Sequence, residues 1–321
     1  MLAGWQVITL ATVAVLVIFA IVWHVHGARA ASVMLALSGA ALLCVWVSYE
    51  VLPVEQWRRG SLVNGLLIFA LPAAAAVAIA LARARGRSRS APPRSPAGQP
   101  GTRLTRDAWL FLVLPWVTPA VLLFVSQRQP AVGGADPDFA NSMWWAASTI
   151  ALYVGVPVAY AAIARQSVRG YGLSLKFART EGALVLLIAP VALVMVWLIS
   201  ADARFLQTYP FYDVSAGGDG AWLKLLVFEA AYGATFVALE FFVRGFLVFA
   251  GMPVLGIHAV PVMAFAYCLL HLGKPMPECA SSLVGGLILG YLAVRFRSIA
   301  VGVVAHLTIA WGMDASVLGR R

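Results

Sequence analysis

Long apolar runs separated by short polar segments dominate the chain, and this pattern predicts membrane-spanning helices. Several runs reach the roughly 20 residues with which an α-helix crosses the hydrocarbon core of a bilayer. We predict ten spans, over residues 5–25, 31–52, 62–82, 108–125, 143–164, 182–199, 222–249, 254–271, 282–294 and 299–317. The runs lack the strict alternation of a transmembrane β-strand. The predicted fold class is therefore all-α, a polytopic transmembrane helical bundle of about ten spans.

Composition supports a membrane location. Of the 321 residues, 62% are hydrophobic and only 11% are charged, whereas a soluble domain has roughly 25% charged residues. The net charge of +10 comes largely from arginine-rich loops, which fits positive-inside topology better than nucleic-acid binding. We therefore predict an integral protein of the bacterial inner (plasma) membrane that contacts membrane lipid and binds no nucleic acid.

One polar segment divides the chain. Residues 83–107 are rich in Arg, Pro and Ser, a composition that predicts a cytoplasmic flexible linker. The segment separates an N-terminal three-span region, residues 1–82, from a helical membrane domain, residues 108–321. The three cysteines have neither paired nor CxxC spacing, so the sequence indicates no disulfide framework and no thiolate metal site.

A few ionisable residues lie inside the predicted spans, where they are energetically costly and mark candidate functional sites. Glu240 and Arg244 are four residues apart and are therefore expected to pair on one helical face. Glu229 precedes Glu240 by about three turns and shares that face. His271 and His306 follow on later helices. The set predicts either a site that activates water or a buried polar network that only locks helices together.

Three short motifs in this part of the chain have the order and spacing of one protein family. They read Leu239-Glu240-Phe241-Phe242-Val243-Arg244, Tyr267-Cys268-Leu269-Leu270-His271 and His306-Leu307-Thr308-Ile309-Ala310. They resemble the EExxxR, FxxxH and HxxxN motifs of the CPBP family of intramembrane proteases, also called the Abi or type II CAAX prenyl endopeptidase family. The resemblance covers about residues 143–317, the region expected to form a protease core.

The resemblance implies catalytic roles for four residues. Glu240 is implied as the base that activates water, or as the surviving partner of that base, with Arg244 orienting it. His271 and His306 are implied as ligands of a divalent metal such as zinc, or as groups that hold the attacking water and the oxyanion without metal.

Two positions differ from the family pattern in ways that matter for this chemistry. The first glutamate of the family is Leu239 here, and the asparagine is Ala310. Tyr267 replaces a phenylalanine, a change that we expect to be mild. Three acids are candidate replacements for the missing glutamate, and the first is the best placed because it lies within the same helix: Glu229, Glu278 and Asp314.

Two functions remain open at this point. The first is an intramembrane endopeptidase, either a metalloprotease or a metal-independent enzyme, that cleaves a membrane-associated peptide or protein. The second is a non-catalytic membrane scaffold or immunity protein that binds a hydrophobic or lipidated peptide, which the changes at Leu239 and Ala310 favour. A small-solute transporter is the weakest reading, because the paired broken helices typical of transporters are missing.

Overall fold

The computed structural model describes residues 4–51, 62–90, 104–126, 136–174, 179–199, 212 and 220–318. Over these ranges the chain forms helices joined by turns, which confirms the predicted all-α fold. The helices are α1 (Gly4–His26), α2 (Ala28–Glu50), α3 (Leu62–Ser90), α4 (Arg106–Ser126), α5 (Pro137–Ile163), α6 (Arg179–Ile199), α7 (Ala221–Glu240), α8 (Met252–Leu255), α9 (Ala259–Leu270), α10 (Met276–Phe296) and α11 (Ala300–Leu318).

The described ranges contain nine helices that are long and apolar enough to cross a membrane. The predicted span over residues 182–199 falls on α6, whose apolar stretch Thr180–Val194 is shorter than the other nine. Large apolar side chains such as Leu186 and Trp222 remain exposed on the outside of the bundle, as expected where lipid replaces water. The protein is therefore an integral membrane protein.

Helix α3 is longer than predicted, because it continues through the first arginines of the polar segment to Ser90. Alanine and arginine are both strong helix formers, so the helix extends beyond the apolar run. Residues 91–103, which make up most of the predicted flexible linker, lie outside the described ranges.

The middle of the bundle is formed by α9 and by the long span from Ala221 to Ala250. Within an apolar 18-residue window of each span, 78% of the residues are buried in the span that contains α9 and 72% in the Ala221–Ala250 span. No other span found in the described ranges exceeds 44%. Helix α9 packs against α2, α3 and α10. A helix that is apolar around its whole circumference belongs in such a core, and the charged residues of the motifs are therefore brought to the centre of the protein.

The central span changes its winding immediately after Glu240. Helix α7 ends there, and Phe241–Ala250 continues it as a π-helical segment. In a π-helix the backbone hydrogen bonds join residues five apart along the chain. Such segments are rare in proteins, and those that occur are often found at functional sites. Nine of the ten residues of this segment are buried. The change of winding coincides with the first sequence motif.

Asp136 connects the beginning of α5 to the beginning of α7 through side-chain contacts. Its carboxylate accepts hydrogen bonds from the Phe139 amide (2.9 Å) and the Tyr212 hydroxyl (2.8 Å), and it pairs with Lys224 at 2.9 Å. The hydrogen bond from Lys224, followed by those from Phe139 and Tyr212, lowers the pKa of Asp136 to about 2. The acid therefore stays ionised, caps the helix and links two spans that pack on each other.

Candidate active site

Glu240 and Arg244 form the predicted ion pair. Arg244 Nη1 donates to Glu240 Oε1 at 2.6 Å, and the two side chains are 1% and 0% exposed. The pair lies where α7 passes into the π-helical segment. Burying one charge of this kind alone is very costly, so each residue is tolerated because of the other.

His306, on α11, completes a second contact with the glutamate. Its Nδ1 lies 2.7 Å from Glu240 Oε1 and 3.2 Å from the Gly302 carbonyl oxygen. Both neighbours are hydrogen-bond acceptors, so Nδ1 must carry a proton. When the ring is neutral, Nε2 then holds its lone pair. The first and third motifs are therefore joined through a single carboxylate oxygen.

Tyr267, on α9, contributes a polar contact that the sequence analysis missed. Its hydroxyl lies 2.7 Å from His306 Nε2, and since that nitrogen holds the lone pair, the hydroxyl donates to it. The Arg244 guanidinium lies over the tyrosine ring, 4.2 Å from its centre, a cation–π contact. The replacement of phenylalanine therefore adds a hydrogen-bonding hydroxyl to the network, which a phenylalanine would not supply.

His271 lies at the end of α9 and contacts the same tyrosine. Its Nδ1 is 2.9 Å from the Tyr267 carbonyl oxygen, and the two rings pack edge to face with centres 4.6 Å apart. A carbonyl only accepts, so Nδ1 carries the proton and the lone pair of the neutral ring is on Nε2. His271 is half-buried. The three motifs thus meet around Tyr267, which contacts Arg244, His271 and His306.

The network keeps unused hydrogen-bonding groups. Among the described residues, Glu240 Oε2, Arg244 Nε and Arg244 Nη2 are buried and have no hydrogen-bond partner. Each buried group of this kind costs about 1–3 kcal/mol. Gly302 is required beside them, because a Cβ at this position would collide with the Glu240 carboxylate. The helices approach closely, yet leave two donors and one acceptor unsatisfied.

The acids that were candidate replacements are engaged elsewhere. Glu229 is hydrogen-bonded to Asp314, and Glu278 pairs with Lys274 at 2.5 Å. The expectation that Glu229 is the best placed replacement therefore finds no support in its contacts. Within the described ranges, Glu240 is the one acid in the hydrogen-bonded network around His306.

The two positions that depart from the family are apolar in their surroundings as well. Leu239 packs against the main hydrophobic core. Ala310 is 2% exposed and belongs to a second apolar cluster with Phe228 and Tyr232. Both positions therefore pack on apolar side chains.

The donor set, as arranged here, does not fit a metal ion. In the part of the chain that the structure describes, no three His, Cys, Asp or Glu side chains gather closely enough to hold one. Both nitrogens of His306 are engaged, by Glu240 and by Tyr267. Ligation through His306 would require the Tyr267 hydroxyl to leave Nε2. Metal binding by His271 and His306 thus stays a prediction.

Comparison with known proteins connects this geometry to a family. Residues 220–312 match the model of the family described as type II CAAX prenyl endopeptidase Rce1-like. The matched range contains all three motifs. No curated protein and no solved structure matches the chain. The predicted resemblance is thus confirmed: residues 220–312 are similar to the Rce1-like family, a match that is consistent with the CPBP family.

Proposed function

We propose that this protein is an intramembrane endopeptidase of the CAAX-prenyl-protease type, located in the bacterial plasma membrane. Its substrate is a membrane-associated peptide or protein, hydrophobic or lipidated at the cleaved end. The observation that carries the proposal is the unsatisfied hydrogen-bonding capacity of the buried pair, at Glu240 Oε2 and at Arg244 Nε and Nη2.

A network that served only to lock helices together would be expected to satisfy its own polar groups, because each unsatisfied one is destabilising. At this ion pair three such atoms lie together beside the histidine network, and we propose that they bind the substrate and the attacking water. Two donors and one acceptor are complementary to a peptide carbonyl and a water molecule. Two imidazoles lie next to them, joined through Tyr267.

We assign the proton transfer to His271. The Glu240 carboxylate is a poor base, since Arg244 and His306 both donate to one of its oxygens. His271 Nε2 carries a lone pair that no protein donor holds among the described contacts, and we assign it the proton taken from water. Burial lowers the pKa of His271 to about 3, which keeps the ring neutral and able to accept that proton. As the water oxygen bonds to the carbonyl carbon, Arg244 stabilises the negative charge that develops on the carbonyl oxygen. The C–N bond then breaks as His271 returns the proton to the leaving amine. Glu240 orients Arg244 and His306.

The test is cleavage of membrane peptides by the purified protein in lipid nanodiscs. Prenylated and unmodified hydrophobic peptides are incubated with it, and the products are identified by mass spectrometry. We expect slow cleavage by the wild type. The variants His271→Ala, His306→Ala and Glu240→Gln are each expected to reduce the rate by about 10²–10⁴-fold, the usual contribution of acid–base groups.

Glu229→Gln is the matched control. It replaces an acid on the same helix by a side chain that still hydrogen-bonds Asp314, and it lies outside the network. We expect this variant to cleave at close to the wild-type rate. Equal loss in Glu229→Gln and His271→Ala would contradict the proposed site.

A second function is favoured by the apolar surroundings of Leu239 and Ala310. In this alternative the protein binds a hydrophobic or lipidated peptide without cleaving it, as a scaffold or immunity protein. The double variant Leu239→Glu with Ala310→Asn separates the two. Peptide binding without cleavage by the wild type, together with new cleavage by the double variant, would establish the binding protein and overturn the peptidase.

The same assay tests the metal. Because both nitrogens of His306 are engaged by protein groups, we expect cleavage to survive prolonged treatment with EDTA. Loss of activity on chelation, followed by recovery on addition of zinc, would show instead that His271 and His306 act as metal ligands. Calcium addition is the matched control, because this hard cation prefers oxygen ligands over imidazole.

A further inference from the structure

Tyr267 is the residue through which the two histidines are connected. Its side-chain hydroxyl contacts His306 Nε2 at 2.7 Å, and its own carbonyl oxygen contacts His271 Nδ1 at 2.9 Å. The ring also carries the Arg244 guanidinium on its face. The side chain is 4% exposed and belongs to the main hydrophobic core, so it is held in place from all sides.

These contacts make the two imidazoles chemically unequal. Each ring has its proton on Nδ1, for the reasons given above, and each therefore has its lone pair on Nε2. The lone pair of His306 is occupied by the tyrosine hydroxyl, whereas no such donor holds that of His271 among the described contacts. Without the hydroxyl, both Nε2 atoms would present lone pairs.

We propose that Tyr267 is a positioning residue that assigns different tasks to the two histidines. Its hydroxyl donates a hydrogen bond to His306 Nε2, which occupies the lone pair and holds that ring between Glu240 and α9. Only His271 then has a lone pair available to act as the base. The catalytic consequence of this inference rests on the proposed function. The hydrogen bond to His306 Nε2, in contrast, is a property of the protein without substrate. It also accounts for the mismatch between this donor set and a metal.

The substitution Tyr267→Phe tests this directly, because it removes one oxygen and keeps the ring under Arg244. Tyr153→Phe is the matched control, since Tyr153 is a buried tyrosine that stacks on Phe242 with ring centres 4.6 Å apart. Both variants are prepared in nanodiscs with ¹⁵N-labelled histidine. The His306 signals are assigned with His306→Ala.

In Tyr267→Phe the His306 Nε2 resonance is expected to move to the position of an imidazole nitrogen without a donor. In Tyr153→Phe it stays at the wild-type position. In the cleavage assay, Tyr267→Phe is expected to lower kcat by about tenfold, the equivalent of one lost hydrogen bond, with KM nearly unchanged. Tyr153→Phe should leave kcat unchanged.

The nitrogen resonance and the cleavage rate test the inference and the proposed function separately. If the wild type cleaves no peptide, the proposed function is wrong. The His306 Nε2 resonance still reports whether the Tyr267 hydroxyl is hydrogen-bonded to that nitrogen. An unchanged His306 Nε2 resonance in Tyr267→Phe would overturn the inference whatever the activity. A shifted resonance with unchanged kcat would also overturn it, because the hydroxyl would then have no part in positioning the site.

Discussion

Arg244→Leu is expected to lower the thermal midpoint and the yield of folded protein more than any other single change at the site. It leaves the Glu240 carboxylate buried with its strongest partner removed. Breaking a buried ion pair from one side costs about 3–5 kcal/mol. The double variant Glu240→Gln with Arg244→Leu removes both charges and should therefore be more stable than the single variant.

Size-exclusion chromatography after heating in detergent measures this difference, and Lys274→Leu provides the control. Lys274 and Glu278 also form a pair four residues apart, but their side chains are 45% and 31% exposed. Exposed pairs contribute about 0–1 kcal/mol, so Lys274→Leu should have little effect. A double variant no more stable than Arg244→Leu would show that the pairing is not what makes these charges tolerable.

Gly302→Ala is expected to have the second largest effect, although it adds a single methyl group. The new Cβ would collide with the Glu240 carboxylate, which is held on its other side by Arg244. Either α11 must move away from α7 or the carboxylate must leave its partners. Overpacking of this kind costs about 1–3 kcal/mol of folding stability. We expect the decrease in cleavage rate, converted to an activation free energy, to be larger than this loss of stability.

Gly285→Ala is the matched control for this change. Gly285 is also within a helix, α10, and a Cβ there would have open space around it. Alanine in place of a helical glycine is favourable by about 1 kcal/mol, so this variant should be as stable as the wild type or more so. Equal destabilisation by the two substitutions would show that contact with Glu240 is not the cause.

The spans and the main ion pair follow from the sequence, because both depend on local spacing. An apolar run of about 20 residues can cross a bilayer only as a helix in this chain. Glu240 and Arg244 are neighbours at a spacing of four in helical backbone. The family match over residues 220–312 likewise follows from three motifs whose order and spacing survive three substitutions.

The long-range contacts did not follow from the sequence. The hydroxyl of Tyr267 meets His306 across 39 positions of the chain, and Glu229 meets Asp314 across a sequence separation more than twice as long. Helical periodicity assigns a face to each residue but does not say which helices adjoin. A tyrosine in an apolar helix also looks like a core residue from its composition alone, and its ring does pack as one.

The change of winding after Glu240 has a consequence for how the protein matches the thickness of its bilayer. As a regular α-helix, the 30 residues from Ala221 to Ala250 would be about 45 Å long, well beyond the roughly 30 Å of hydrocarbon. A span that is too long must usually tilt, kink or thicken the membrane. The π-helical segment supplies a small part of this adjustment, because its ten residues advance the chain less along its axis than ten residues of α-helix do. The level of Glu240 relative to the lipid headgroups is therefore set by winding as well as by residue count.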